Sequence, residues 1–195
     1  MRRIACTASL ALLATVFSTA AFAHPGDHSH IGFAAGFAHP FTGLDHLLAM
    51  VAVGLWASQL GGRALWLLPL TFPVVMAAGA ALGLSGVALS WVEIGITASV
   101  LVLGAAVALT WRPSLAVSLP LIGLFALLHG YAHGVELPAQ TSALGYAAGF
   151  VAATLVLHLT GLAIGLAANR LPVRFAARTA GGAIAAVGVV LLVTV

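Results

Sequence analysis

Six apolar runs, each close to the 20 or so residues that an α-helix needs to cross a bilayer, fill most of this 195-residue chain. They lie near 31–60, 64–84, 88–110, 115–137, 142–168 and 174–195. The breaks between them are short and carry turn chemistry: Gly61-Gly62-Arg63, Ser85-Gly86, Arg112-Pro113-Ser114, Leu137-Pro138-Ala139-Gln140 and Asn169-Arg170-Leu171-Pro172. Hydrocarbon offers no partner to a backbone N–H or C=O, so a spanning segment must be a helix or part of a closed barrel. No run alternates with the period of two that a barrel needs. With 62% hydrophobic and only 6% charged residues, the chain cannot cover a water-facing surface. The expected fold is an all-α integral membrane protein with six transmembrane helices.

Residues 1–23 read as a signal peptide. Arg2 and Arg3 form the basic start, Ile4 to Phe17 the apolar middle, and Ala21-Phe22-Ala23 the small-x-small cleavage site. A short uncleaved span is the competing reading. Cleavage leaves one membrane domain, 24–195, opening on His24. Cys6, the single cysteine, falls in the removed segment, so the mature chain has no thiolate ligand and no disulfide. Five arginines then face four acids, which is no signature of a nucleic-acid binder.

A secreted N-terminus places the loops after spans one, three and five on the cytoplasmic side. Arg63, Arg112, Arg170, Arg174 and Arg178 all fall there, as the positive-inside rule requires. The mature N-terminus is expected on the outer, periplasmic side. The first run is longer than a bilayer needs and contains Pro40, which breaks or kinks a helix interior. Residues 31–39 are therefore expected to form an outer or re-entrant piece, with the span beginning near Phe41. Three spans per half would make a duplicated half inverted, as in many transporters.

Ionisable groups in hydrocarbon are costly and mark functional sites. His129, His133 and Glu136, spaced four and three apart, project from one face of the fourth span, a partial shell for a divalent transition metal. Gly130 and Gly134 let a neighbouring helix or an ion come close. In the first span, His39 and His46 share a face of an ideal helix while Asp45 points elsewhere. Either an unwound turn at Pro40-Gly43 brings Asp45 to the ion, or Asp45 fixes a histidine tautomer from behind. Glu93, at the outer end of the third span, suits a ligand or an interfacial residue equally. His158, deep in the fifth, is a relay site or a packing residue. His24, His28 and His30, with Asp27, resemble a metal-capture tail. Helix packing with satisfied histidines is the bland alternative throughout. The tryptophans Trp56, Trp66, Trp91 and Trp111 lie near predicted span ends, as interfacial anchors do.

At these motifs the chain resembles the hydrogenase/urease accessory membrane protein family, HupE/UreJ. The likeness rests on His39 to His46 as His-x5-Asp-His, and on Leu128-His129-Gly130-Tyr131-Ala132-His133-Gly134-Val135-Glu136, with leucine where the family often has phenylalanine. It extends to the signal peptide, the His-Pro-Gly start and the run from Asp45 to Ala57. The resemblance implies a nickel permease of the bacterial inner membrane, supplying hydrogenase or urease maturation. It carries the transport role onto His39, Asp45, His46, His129, His133 and Glu136, and less surely onto Glu93, with cobalt as the alternative cargo. No cofactor is expected to stay bound, and no catalysis. The competing classes are an intramembrane zinc hydrolase built from the same ligands and a haem-binding electron carrier with paired axial histidines.

Overall fold

A computed structural model describes residues 28–137, 141–170 and 175–195, and every regular element among them is helical. In chain order these are α1 (His28–Ala38), a 3-10 turn (His39–Phe41), α2 (Leu44–Leu60), α3 (Ala64–Leu84), α4 (Val92–Ala108), α5 (Leu115–Val135), α6 (Ala143–Arg170) and α7 (Ala176–Thr194). The signal peptide and His24 lie outside the described residues. His28 and His30 fall in the first turn of α1.

By length and apolarity, α3, α5, α6 and α7 can each cross a membrane, and α1 with the 3-10 turn and α2 makes a fifth, broken span. The chain is thus an all-helical integral membrane protein. The break lies where the sequence predicts it: Pro40 sits at the start of the 3-10 turn, Gly43 is extended (φ −103°, ψ 126°), and α1 meets α2 at 79°. α2 opens at Leu44, three residues after the expected Phe41. The run at 88–110 forms a shorter helix than expected, because Trp91 (φ 69°) and Thr110 (φ 52°) are left-handed and bound α4 at 17 residues. Tyr131 holds the preceding loop: its hydroxyl donates to the Val87 carbonyl at 2.7 Å and accepts from Leu89 N–H at 2.9 Å.

The most extensive helix packings are α3 on α5, α4 on α7, and α2 on α6. Exchanging α2, α3 and α4 for α5, α6 and α7 turns α2·α6 into α5·α3 and leaves α4·α7 unchanged. The dominant packings are thus symmetric under that exchange. Each pair meets backbone to backbone at glycine. A Cβ at Gly130 would land on the Met76 carbonyl, and one at Gly161 on that of Val51. Lipid supplies no hydrophobic force between helices, so such close van der Waals approach is what holds them.

The core gathers Met50, Val53, Trp56, Leu68, Phe72, Leu103 and Ile122, all essentially inaccessible. Trp56 departs from the interfacial role expected of it. It is fully buried, its ring stacks on Trp111 with centroids 5.8 Å apart, and its Nε1 donates to the Trp111 carbonyl at 2.8 Å. Outward faces carry Leu70, Val74, Leu144, Val190 and Val193, an apolar coat suited to acyl chains.

Candidate metal centre

The start of α2, the end of α5 and the 3-10 turn meet at one end of the bundle, and each brings histidine. Pro40 stops α1, so His39 lies in the turn and faces the bundle rather than continuing along α1. Asp45 and His46 occupy the first turn of α2. His129 and His133 stand one turn apart near the end of α5. Ring centroids lie 4.7 Å apart for His39 and His133, 4.6 Å for His46 and His133, and 5.0 Å for His46 and His129.

One nitrogen from each of His39, His46 and His133 falls within 4.8 Å of the others. Two nitrogens bound to one ion at about 2.1 Å each can be no more than about 4.2 Å apart. Three such nitrogens around one ion stand at most about 3.6 Å apart when evenly spread, so the rings need to close by roughly an ångström to share a cation. Three imidazoles are a suitable donor set for Ni²⁺, Co²⁺ or Zn²⁺.

The hydrogen bonds decide which lone pairs are free. Asp45 Oδ1 accepts from His46 Nδ1 and from the His46 backbone N–H, both at 2.8 Å. A carboxylate can only accept, so the proton sits on Nδ1 and Nε2 presents its lone pair. This hydrogen bond is the one expected of an Asp45 that fixes the histidine tautomer. Gly43 makes room for it, since a Cβ there would stand 2.6 Å from Asp45 Oδ1 and 3.3 Å from His46 Nδ1. His129 Nδ1 likewise donates to the Phe125 carbonyl at 2.8 Å, leaving Nε2 as acceptor.

His46 Nε2, His129 Nε2 and both ring nitrogens of His133 are buried without a hydrogen-bond partner. An unsatisfied buried polar atom costs about 1–3 kcal/mol. Four of them clustered at one end of a fold are an expensive arrangement, and a cation would satisfy one lone pair on each ring it binds, the other His133 nitrogen carrying the proton.

Glu136 is not in this group. Glu136 is the C-cap of α5 and is exposed, its backbone still helical (φ −85°, ψ −1°) with the N–H on the Ala132 carbonyl. It lines an open cleft with Glu93, Tyr131 and Trp91 instead. Glu93 stands exposed in the first turn of α4. His158 lies deeper on α6, fully buried, with Nδ1 donating to the Pro69 carbonyl at 3.1 Å.

Aromatic rings wall the histidines. Phe150 packs on His133 with centroids 4.0 Å apart, Tyr146 lies 5.9 Å from His39, and Phe72 stands 5.5 Å from His129. Sequence reasoning assigned none of these three to the site. The nearest signal for Phe72 is its place beside Pro73 in a helix interrupted by two prolines.

The family model for the HupE / UreJ protein matches residues 11–191. Protein HupE of Rhizobium leguminosarum bv. viciae is 49% identical over 189 residues, covering 96% of this chain and 96% of that protein. No solved structure matches. With a match over nearly its whole length and a relative this similar, the chain belongs to the HupE/UreJ family of hydrogenase/urease accessory membrane proteins.

Proposed function

We propose that this protein conducts Ni²⁺ across the bacterial inner membrane to supply hydrogenase or urease maturation, taking the ion first at His39, His46 and His133. The observation that carries the reading is the convergence of three imidazoles from three separate elements, with His46 Nε2 and both His133 ring nitrogens unpartnered, at one end of an apolar helical bundle. Membership of an accessory family for two nickel-using enzymes supports nickel as cargo over cobalt.

Six spans follow when α4, about 26 Å long by its 17 residues, is counted with the five longer ones. Cleavage of residues 1–23 leaves His24 in the periplasm. The histidine cluster then faces the outside, and Arg63, Arg112, Arg170, Arg174 and Arg178 lie at the cytoplasmic ends. The His24–His30 tail and the cleft between Glu93 and Glu136 gather hydrated cations near the entrance, where carboxylates attract without fully dehydrating the ion. The imidazoles replace water at the cluster. Imidazole binds nickel without adding charge, so the ion brings only its own two charges into the bilayer. Asp45 offsets part of them through His46.

Permeation is favoured over hydrolysis because Asp45, the carboxylate bonded at the cluster, is engaged by His46 and the α2 backbone, whereas a zinc hydrolase needs an acid free to activate water. The deciding experiment is radioactive-nickel uptake in cells expressing wild type or His133→Ala at equal levels. Uptake falls to background in the variant; equal uptake would reject the pathway.

A further inference from the structure

Below the outer cluster the structure holds a second set of unsatisfied polar atoms. His158 and Thr154, one turn apart on α6, are both fully buried. His158 Nε2 and Thr154 Oγ1 have no hydrogen-bond partner. For a helical threonine this is unusual, because the hydroxyl normally returns to a carbonyl of the preceding turn. Thr97, Thr160 and Thr194 all do so here.

His158 is also held in a defined tautomer. Pro73 has no N–H, so the Pro69 carbonyl lacks its usual partner four residues on. His158 Nδ1 donates to that carbonyl at 3.1 Å, which leaves the Nε2 lone pair free. Phe72 lies between the two levels, its ring centroid 5.5 Å from His129 and 5.2 Å from His158. The groups thus descend in steps of about one ring, from His133 to His46, His129, Phe72 and His158. His158 is the sixteenth of the 28 residues of α6, some 22 Å along that helix and close to its middle.

We propose that His158 Nε2 and Thr154 Oγ1 form an inner station for the same divalent transition-metal ion, reached from His129 past the Phe72 ring. The proposal rests on the permeation reading. A single deep site would trap a cation, whereas several weaker sites in series let it enter and leave. One borderline nitrogen and one hydroxyl oxygen make a poorer donor set than three imidazoles, as a release site requires.

The test is nickel uptake into proteoliposomes by the full chain, with equilibrium nickel binding to the same purified proteins. His158→Asn keeps a donor for the Pro69 carbonyl, since the asparagine Nδ2 takes the place of Nδ1, but removes Nε2. Expected are outer binding within about twofold of wild type and uptake reduced about tenfold or more, with a smaller loss for Thr154→Val. A packing role for His158 would be met by asparagine. Wild-type uptake by His158→Asn beside an inactive His133→Ala would therefore overturn the inner station and leave the permeation reading standing. Full uptake by His133→Ala would overturn both. Should His158→Asn also lose outer binding, the near-isosteric Thr154→Val decides, and undiminished uptake by it would equally refute the proposal.

Discussion

Asp45→Asn separates charge from geometry at the histidine cluster. In the native protein Asp45 Oδ1 receives two hydrogen bonds of 2.8 Å, from the His46 ring and from the His46 backbone. An asparagine Oδ1 accepts both, so the ring keeps its orientation and tautomer. What disappears is the negative charge that makes Nε2 a stronger donor and offsets the incoming cation. A hydrogen bond to an ionised acceptor is roughly twice as strong as one between neutral groups. Removing such support from a ligating histidine lowers metal affinity by about 10–100-fold, or about 1.4–2.7 kcal/mol. We expect nickel affinity to fall by that factor in Asp45→Asn and to be lost in His133→Ala. Calorimetric titration of purified, detergent-solubilised protein reads both. Gly43→Ala provides a second route to the same loss: its Cβ would stand 2.6 Å from Asp45 Oδ1 and must push the carboxylate off His46, whose Nδ1 it also crowds at 3.3 Å. Asp45→Asn binding within twofold of wild type, while His133→Ala binds nothing, would refute the role assigned to the carboxylate.

Two further outcomes follow from the same geometry. Gly130→Ala places a Cβ on the Met76 carbonyl and forces α3 from α5, costing about 1–3 kcal/mol, whereas Gly182→Ala meets nothing within 4 Å and gains up to about 1 kcal/mol of helix propensity. Thermal unfolding in detergent should move in opposite directions for the two. Deleting residues 24–30 after the cleavage site should raise the nickel concentration for half-maximal uptake severalfold without abolishing flux. Unchanged uptake at limiting nickel would dismiss the tail as a capture element.

The helices were legible because lipid leaves the backbone one economical answer, and apolar length reports it directly. Where the reading fell short, the cause was local. Hydropathy continues through Trp91 and Thr110, but left-handed backbone at both residues closes α4 early. Trp56 sits near a helix end as an interfacial tryptophan would, yet α2 is central, and its end is covered by α4 and Trp111. Pro40 announced the broken first span. It could not say that the break would turn His39 back onto His133.

The histidines and Glu136 show where a one-dimensional pattern stops being informative. Spacings of four and three put His129, His133 and Glu136 on one face, and burial is what divides them: both histidines are buried, whereas Glu136, the exposed C-cap of α5, lines the cleft with Glu93. The acid nearest the cluster is instead Asp45, which helical spacing alone would have turned away. It reaches His46 because Gly43, extended and without a side chain, leaves space for the carboxylate to fold back. Ligand positions in this fold are thus set by how its helices begin and end. A site built on helix ends can close on an ion by small shifts of those ends, without disturbing the glycine-packed crossings that hold the bundle together.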